Sequence, residues 1–112
     1  MTNPNYSFHG IPTETARYLV TDVAQQFTGA QYTNDNKRSA IAVLITCEDA
    51  QIRFCLGGAV PTAGAAGLGH ILYVGQSIRL SSPSAVRSFS YINHTQQDDA
   101  VLQATFEFEP GA

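Results

Sequence analysis

Val101 to Phe108 reads V-L-Q-A-T-F-E-F, the cleanest alternation in the chain. Leu102, Ala104, Phe106 and Phe108 fall on one side, and Val101, Gln103, Thr105 and Glu107 on the other. Side chains along a strand point to opposite faces in turn, so this segment predicts a strand with one apolar face. Such a face has to be buried against a second layer. The remaining apolar runs are also short, lie about 8–12 residues apart, and are separated by Gly, Pro, Asn and Ser. Together they predict an all-β fold, an antiparallel β-sandwich or jelly-roll-like domain. With 112 residues the chain suits one domain. The expected division is an extended N-terminal arm, residues 1–12, followed by a single sandwich domain, residues 13–112.

The arm carries Pro4, Gly10 and Pro12, with Tyr6 and Phe8 alternating with Asn5, Ser7 and His9. Aromatic side chains left in water gain nothing, so Tyr6, Phe8 and His9 are candidate contact residues, against the arm's own domain or a neighbour. Thr13 to Thr28 fits a helical face through Ala16, Leu19 or Val20, Val23 and Phe27, but its Thr, Tyr and Val content favours strands. The reading is two strands, or one bent strand, with Leu19, Thr21, Val23 and Phe27 on one face. Gly29 to Lys37 reads as a polar loop.

Arg38 to Leu56 reads as a hairpin turning at Glu48-Asp49. That register places Ile45 opposite Ile52, Val43 opposite Phe54 and Ile41 opposite Leu56, segregating the apolar residues to one face. Cys47 and Cys55 then point to opposite faces, too far apart to bond, so both thiols are expected to be free. Gly57, Gly58, Pro61, Thr62, Gly69 and Gly75 are expected to set chain direction. Ala63 to Gly69 reads as a small, permissive loop, with His70 bracing the 57–62 turn. Gly69–Tyr73 and Gln76–Leu80 read as strands, Ser81–Ser84 as a turn, and Val86–Ile92 as a further strand.

Composition narrows the function. Charged residues make up 13% of the chain, about half the usual ~25%. That suits a surface covered by a partner, whose buried centre is depleted in charge; a neutral polar monomer is the alternative. Net charge is −3, and of the six basic residues only Lys37 and Arg38 are adjacent, so no basic face for nucleic acid is expected. No apolar run approaches the ~20 residues of a membrane helix, and Met1–Asn5 does not resemble a signal peptide. The expectation is therefore synthesis in a cytoplasm.

Candidate chemistry is sparse. His9, His70 and His94 form no His-x-His pair, whereas zinc and iron sites need three or more convergent ligands; no metal or cofactor is expected. Glu107 and Glu109 share a strand face at a spacing that paired glycosidase carboxylates also satisfy, but nothing resembling an aromatic cleft accompanies them. The expected reading is a solvated face. Cys47 and Cys55 lack an adjacent His, and a buried thiol is the expectation for each. Nothing in the sequence predicts an enzyme.

One set of residues carries a resemblance: Ile52-Arg53-Phe54, Gly57-Gly58, Pro61-Thr62, Gly69-His70, Leu72, Gly75, Ile78, Leu80, Val86, Phe89, Ile92, Leu102, Ala104 and Phe106. This pattern, spanning about residues 15 to 108, resembles a group of small virion proteins of tailed bacteriophages. The resemblance implies a capsid cement or decoration protein, bound to the major capsid protein on the head surface and forming a dimer or trimer. A neck, tail or fibre-associated structural module is a second expectation, and a carbohydrate- or ligand-binding β-sandwich a third. A cupin-like enzyme ranks last, since it requires a bound metal.

Overall fold

The computed structural model describes residues 10–110. In chain order the elements are β1 (Ile11–Pro12), β2 (Ala16–Val20), β3 (Gln25–Gln26), α1 (Gly29–Tyr32), β4 (Ala42–Glu48), β5 (Ile52–Cys55), β6 (His70–Leu72), β7 (Ser77–Leu80), α2 (Pro83–Ser88), β8 (Ser90–Asn93) and β9 (Ala100–Phe108). They build an all-β sandwich of two antiparallel sheets. Sheet A runs β9–β4–β7, with β1 and β2 sharing the far edge of β9. Sheet B runs β3–β8–β5–β6.

The alternating strand is the centre of sheet A. β9 pairs with β1 and β2 on one side and with β4 along Ala42–Glu48 on the other. Leu102, Ala104, Phe106 and Phe108 enter the core, as their alternation predicts. They meet Val43, Ile45 and Cys47 of β4, and Ile52, Leu72 and Tyr91 of sheet B, in one cluster. Phe27 is the hub at one side of the sandwich. Its ring lies 5.1–5.7 Å from those of Tyr18, Phe89, Tyr91 and Phe106, and so ties both sheets together. Offset and edge-on aromatic pairs of this kind add to what area burial alone supplies.

The predicted hairpin does not form. β4 pairs with β7 and β9, while β5 pairs with β6 and β8. The chain between them crosses from one sheet to the other. Asp49 takes a positive φ of 72°, and the Cys47 thiol donates to the Ala50 carbonyl at 3.0 Å. Of the apolar residues assigned to one face, Val43, Ile45, Ile52 and Phe54 belong to the core or pack against it, whereas Leu56 is exposed and Ile41 lies outside the core cluster. Those four face each other across the core instead of lying side by side. Both cysteines are free and buried, in different sheets.

Thr13–Thr28 does give two strands, one in each sheet. Phe27 packs in as expected, but its inward companions are Tyr18 and Val20, whereas Leu19 is 51% and Val23 68% exposed. The segment around Val86 is helical before it becomes β8. Ser82 caps the helix, its hydroxyl accepting from the Ala85 N–H at 3.1 Å, and Pro83 follows at the first helical position. That position suits proline because its missing N–H would have no helical partner anyway. Gly29–Tyr32, expected as loop, forms a short helix. Its entry is braced by the Gln31 side chain, which accepts from the Thr28 N–H at 2.8 Å.

Candidate interaction surfaces

The two sheets give the sandwich two outer faces, with a groove at their edges. Among the described residues no group of three or more His, Cys, Asp or Glu is placed to hold a metal. Among them also no helix is long and apolar enough to cross a membrane.

The outer face of sheet B is covered. Arg53 and Cys55 point outward from β5, yet both are buried, Arg53 at 7% exposure. Residues 56–69 lie over them as a strap. Arg53 holds it in place: Nε donates to the Gly64 carbonyl at 3.0 Å, Nη1 to Gly69 at 2.7 Å and Nη2 to Ala65 at 3.1 Å. The planar guanidinium presents its donors as a fixed fork, so one side chain orients three carbonyls. Further ties come from the Ser90 hydroxyl to the Ala59 carbonyl at 2.8 Å and from the Gly64 N–H to the His94 carbonyl at 2.6 Å. The expected permissive loop is therefore a pinned element. At Gly67 a Cβ would stand 2.1 Å from the Thr62 carbonyl oxygen, and Gly69, at φ 125°, lies against the Phe54 backbone.

The turn residues fall as follows. Gly57 and Gly58 both have positive φ after β5, and Pro61, within the strap, is fully buried. Thr62 closes the strap with two bonds to Leu68, its N–H donating to the carbonyl at 3.0 Å and its Oγ1 accepting from the N–H at 2.7 Å. Gly75 sits at φ 85° in the β6–β7 turn. His70 is an exposed residue of β6 with its ring 5.4 Å from that of Phe54. Among the described residues no hydrogen bond joins it to the 57–62 segment, so sheet-edge packing replaces the expected bracing role.

Among the described residues no strap covers the outer face of sheet A. That face presents hydroxyls and amides paired across neighbouring strands. Thr15 and Thr105 share a hydrogen bond at 2.6 Å, Thr46 and Ser77 at 2.7 Å, and Gln103 donates to Glu48 at 2.9 Å. One part is sealed. Glu107, expected on a solvated face, is fully buried and accepts a two-point grip from Arg79, Nε to Oε2 at 2.9 Å and Nη2 to Oε1 at 2.8 Å. The Gly10 N–H donates to the same carboxylate at 3.2 Å. A carboxylate out of water needs a partner of this kind, and β7 supplies it across β4. The spacing of Glu107 and Glu109 gave no sign of it.

Among the described residues nothing covers the side of the sandwich formed by β2 and β3. Between these two strands lies a polar groove of about 440 Å³, lined by Arg17, Tyr18, Gln25, Gln26, Gln31 and Tyr91. Tyr91 is 3% exposed, and among the described residues its hydroxyl has no hydrogen-bond partner. Burial, with Tyr18 beside it, pushes the Tyr91 phenol up to about 12. Neighbouring loops are tied by Asp22, which accepts from the Asn93 side-chain amide at 2.5 Å and the Gln97 N–H at 2.7 Å. Those two bonds hold its carboxyl below the usual carboxylate range. Sequence reading missed this groove. Its only signal is the run of glutamines, which reads as ordinary surface.

Tyr6, Phe8 and His9 lie outside the described residues. The last residues assigned to the arm, Ile11 and Pro12, pair with β9 opposite Phe108 and Glu107. No family model, no curated protein and no solved structure matches the chain.

Proposed function

We propose that this protein acts by binding rather than catalysis, as a decoration or cement protein on the head of a tailed bacteriophage. Its partner in this reading is the major capsid protein, and it works as a dimer or trimer on the capsid surface. The observation that carries the reading is the asymmetry of the sandwich. One outer face is closed by its own strap, while the other presents neutral hydroxyls and amides beside an edge of β2 that no described residue pairs with. Exposed Ile11 and Leu19 flank that edge. An uncapped strand edge next to an apolar fringe is a template for another chain, and natural monomers generally blunt such edges. The low charge of the whole chain and the sequence resemblance point the same way.

Quantitative mass spectrometry of purified particles tests this. The expected result is many copies, in fixed proportion to the major capsid protein, and heads that lose integrity more easily without them. A few copies confined to a neck or tail fraction supports the neck, tail or fibre role instead, and absence from particles overturns both.

A further inference from the structure

The strand directions sort charged loops to opposite ends of the sandwich. At one end the 21–24, 48–51 and 94–99 segments meet. The Asn93 N–H donates to the Thr21 carbonyl and the His94 N–H to the Gln51 carbonyl, both at 3.1 Å, and Asp22 accepts from the Gln97 N–H. These segments carry Asp22, Glu48, Asp49, Asp98 and Asp99, all exposed, and no Lys or Arg. Asp22 and Glu48 have amide partners, whereas among the described residues the Asp49, Asp98 and Asp99 carboxylates have none.

The other end holds a groove of about 290 Å³, lined by Arg38, Ser39, Ile41, Pro83, Arg87 and Glu109. It sits where β4 begins and β9 ends, since Ala42 pairs with Glu107. Both arginines are exposed. Among the described residues neither guanidinium takes part in a hydrogen bond or ion pair, unlike those of Arg53 and Arg79, and Glu109 pairs with neither. Lys37 and Asp35, in the turn before β4, offset each other, so this end is net positive.

The two ends of one molecule are too far apart to satisfy each other. β4 alone, Ala42–Glu48, puts about 20 Å between them at ~3.4 Å per residue. That is more than twice the ~8 Å screening length at physiological salt. Chemistry narrows what can fill the groove. Two guanidiniums call for carboxylate or phosphate oxygens, and Glu109 calls for a donor. A row of phosphates offers Glu109 no donor, and the net charge of −3 opposes a polyanion. The 94–99 loop, H-T-Q-Q-D-D, supplies both parts: adjacent carboxylates at Asp98 and Asp99, and carboxamide donors at Gln96 and Gln97. All four are exposed.

We propose that the 94–99 loop of one copy docks in the Arg38–Arg87 groove of a second copy. Its Asp98 and Asp99 carboxylates accept from the two guanidiniums, and its carboxamides donate to Glu109. This goes beyond the capsid role by naming a contact between copies, and it needs no particle, so the two readings fail separately. A contact between unlike ends either closes into a ring or continues from copy to copy.

Sedimentation of the full chain tests it. At about 1 mM protein, the wild-type chain should self-associate in ~0.01 M salt and be monomeric in ~1 M, as the screening length falls from ~30 Å to ~3 Å. Arg38→Glu with Arg87→Glu, and separately Asp98→Lys with Asp99→Lys, should each weaken self-association roughly tenfold at low salt, because like charges then face each other. The aspartate variant brings the net charge close to zero, which by itself favours non-specific association, so a loss there reads the contact. All four positions are exposed, and thermal midpoints should be unchanged. Mixing the two variants should restore association, since each reversed surface then meets its complement. A wild-type chain that stays monomeric at low salt overturns the proposal, as does self-association that survives either reversal or a mixture that stays dissociated. Uptake of inorganic phosphate in the groove of a chain that remains monomeric overturns it too, and gives the groove to a free anion.

Discussion

Two arginines on opposite faces of the sandwich solve different problems. Arg53, outward on sheet B, has backbone carbonyls as its partners and uses them to hold a strap. Arg79, outward on sheet A, has a carboxylate and uses it to make burial of Glu107 tolerable. The first converts a sheet face into an interior layer. The second seals one patch and leaves the rest of its face open. The difference separates a face closed by its own chain from one that no other described segment covers.

The largest expected effect lies on sheet A. Arg79→Met removes the two-point Arg79 grip from the buried Glu107 carboxylate, which should cost about 3–5 kcal/mol, read as a fall in the urea midpoint. Arg79→Met combined with Glu107→Leu should recover most of that loss, because replacing both partners with apolar groups removes the desolvated charges. If the single and double variants are equally unstable, the pair is not what sets the cost.

On sheet B, Arg53→Met should cost less, about 2–3 kcal/mol, because the freed carbonyls can reach water once the strap lifts. The sharper reading is local. Cys55, under the strap, should become reactive to thiol reagents in the folded variant while Cys47 does not. Arg53→Lys should behave like Arg53→Met, since an ammonium cannot reproduce the planar fork. Unchanged Cys55 labelling in Arg53→Met would mean the strap is held by its other ties.

The smallest effect concerns Cys47. Its place in the core pushes the thiol from an ordinary value near 9 up to about 11. With the folded pKa raised, the unfolded chain ionises first. The thiol's contribution is therefore complete below about pH 9 and lost as pH rises towards 11. Stability should fall by about 1–2 kcal/mol over that window. Cys47→Ala should show a correspondingly shallower fall.

How much of this could be read from sequence varies by element. β9 was legible because a nine-residue strand with one apolar face has little freedom of interpretation. The placing of β4 and β5 in different sheets was not. Strands that face each other across a core show the same in-and-out pattern as strands paired in a hairpin, and alternation alone cannot separate the two. α2 was signalled by Ser82-Pro83, an N-cap followed by a first-turn proline. The β-forming residues Val86, Phe89, Tyr91 and Ile92 outweighed it. Arg53 and Glu107 were hidden for a common reason. A charged residue at an outward strand position reads as solvated, and only tertiary structure brings the strap or the countercharge that buries it. The open groove was equally hidden, since it is formed by edges of two sheets and belongs to no single segment.

Hydrogen exchange on the full-length protein, free in dilute solution and then bound to purified particles, tests the division of faces most directly. The expected result is strong protection of the β2 amides, Arg17 to Leu19, on the particle, with residues 59–69 exchanging at the same rate in both states. Protection of the 59–69 strap with β2 unchanged would contradict it, and would place the partner on the face assigned here to structure.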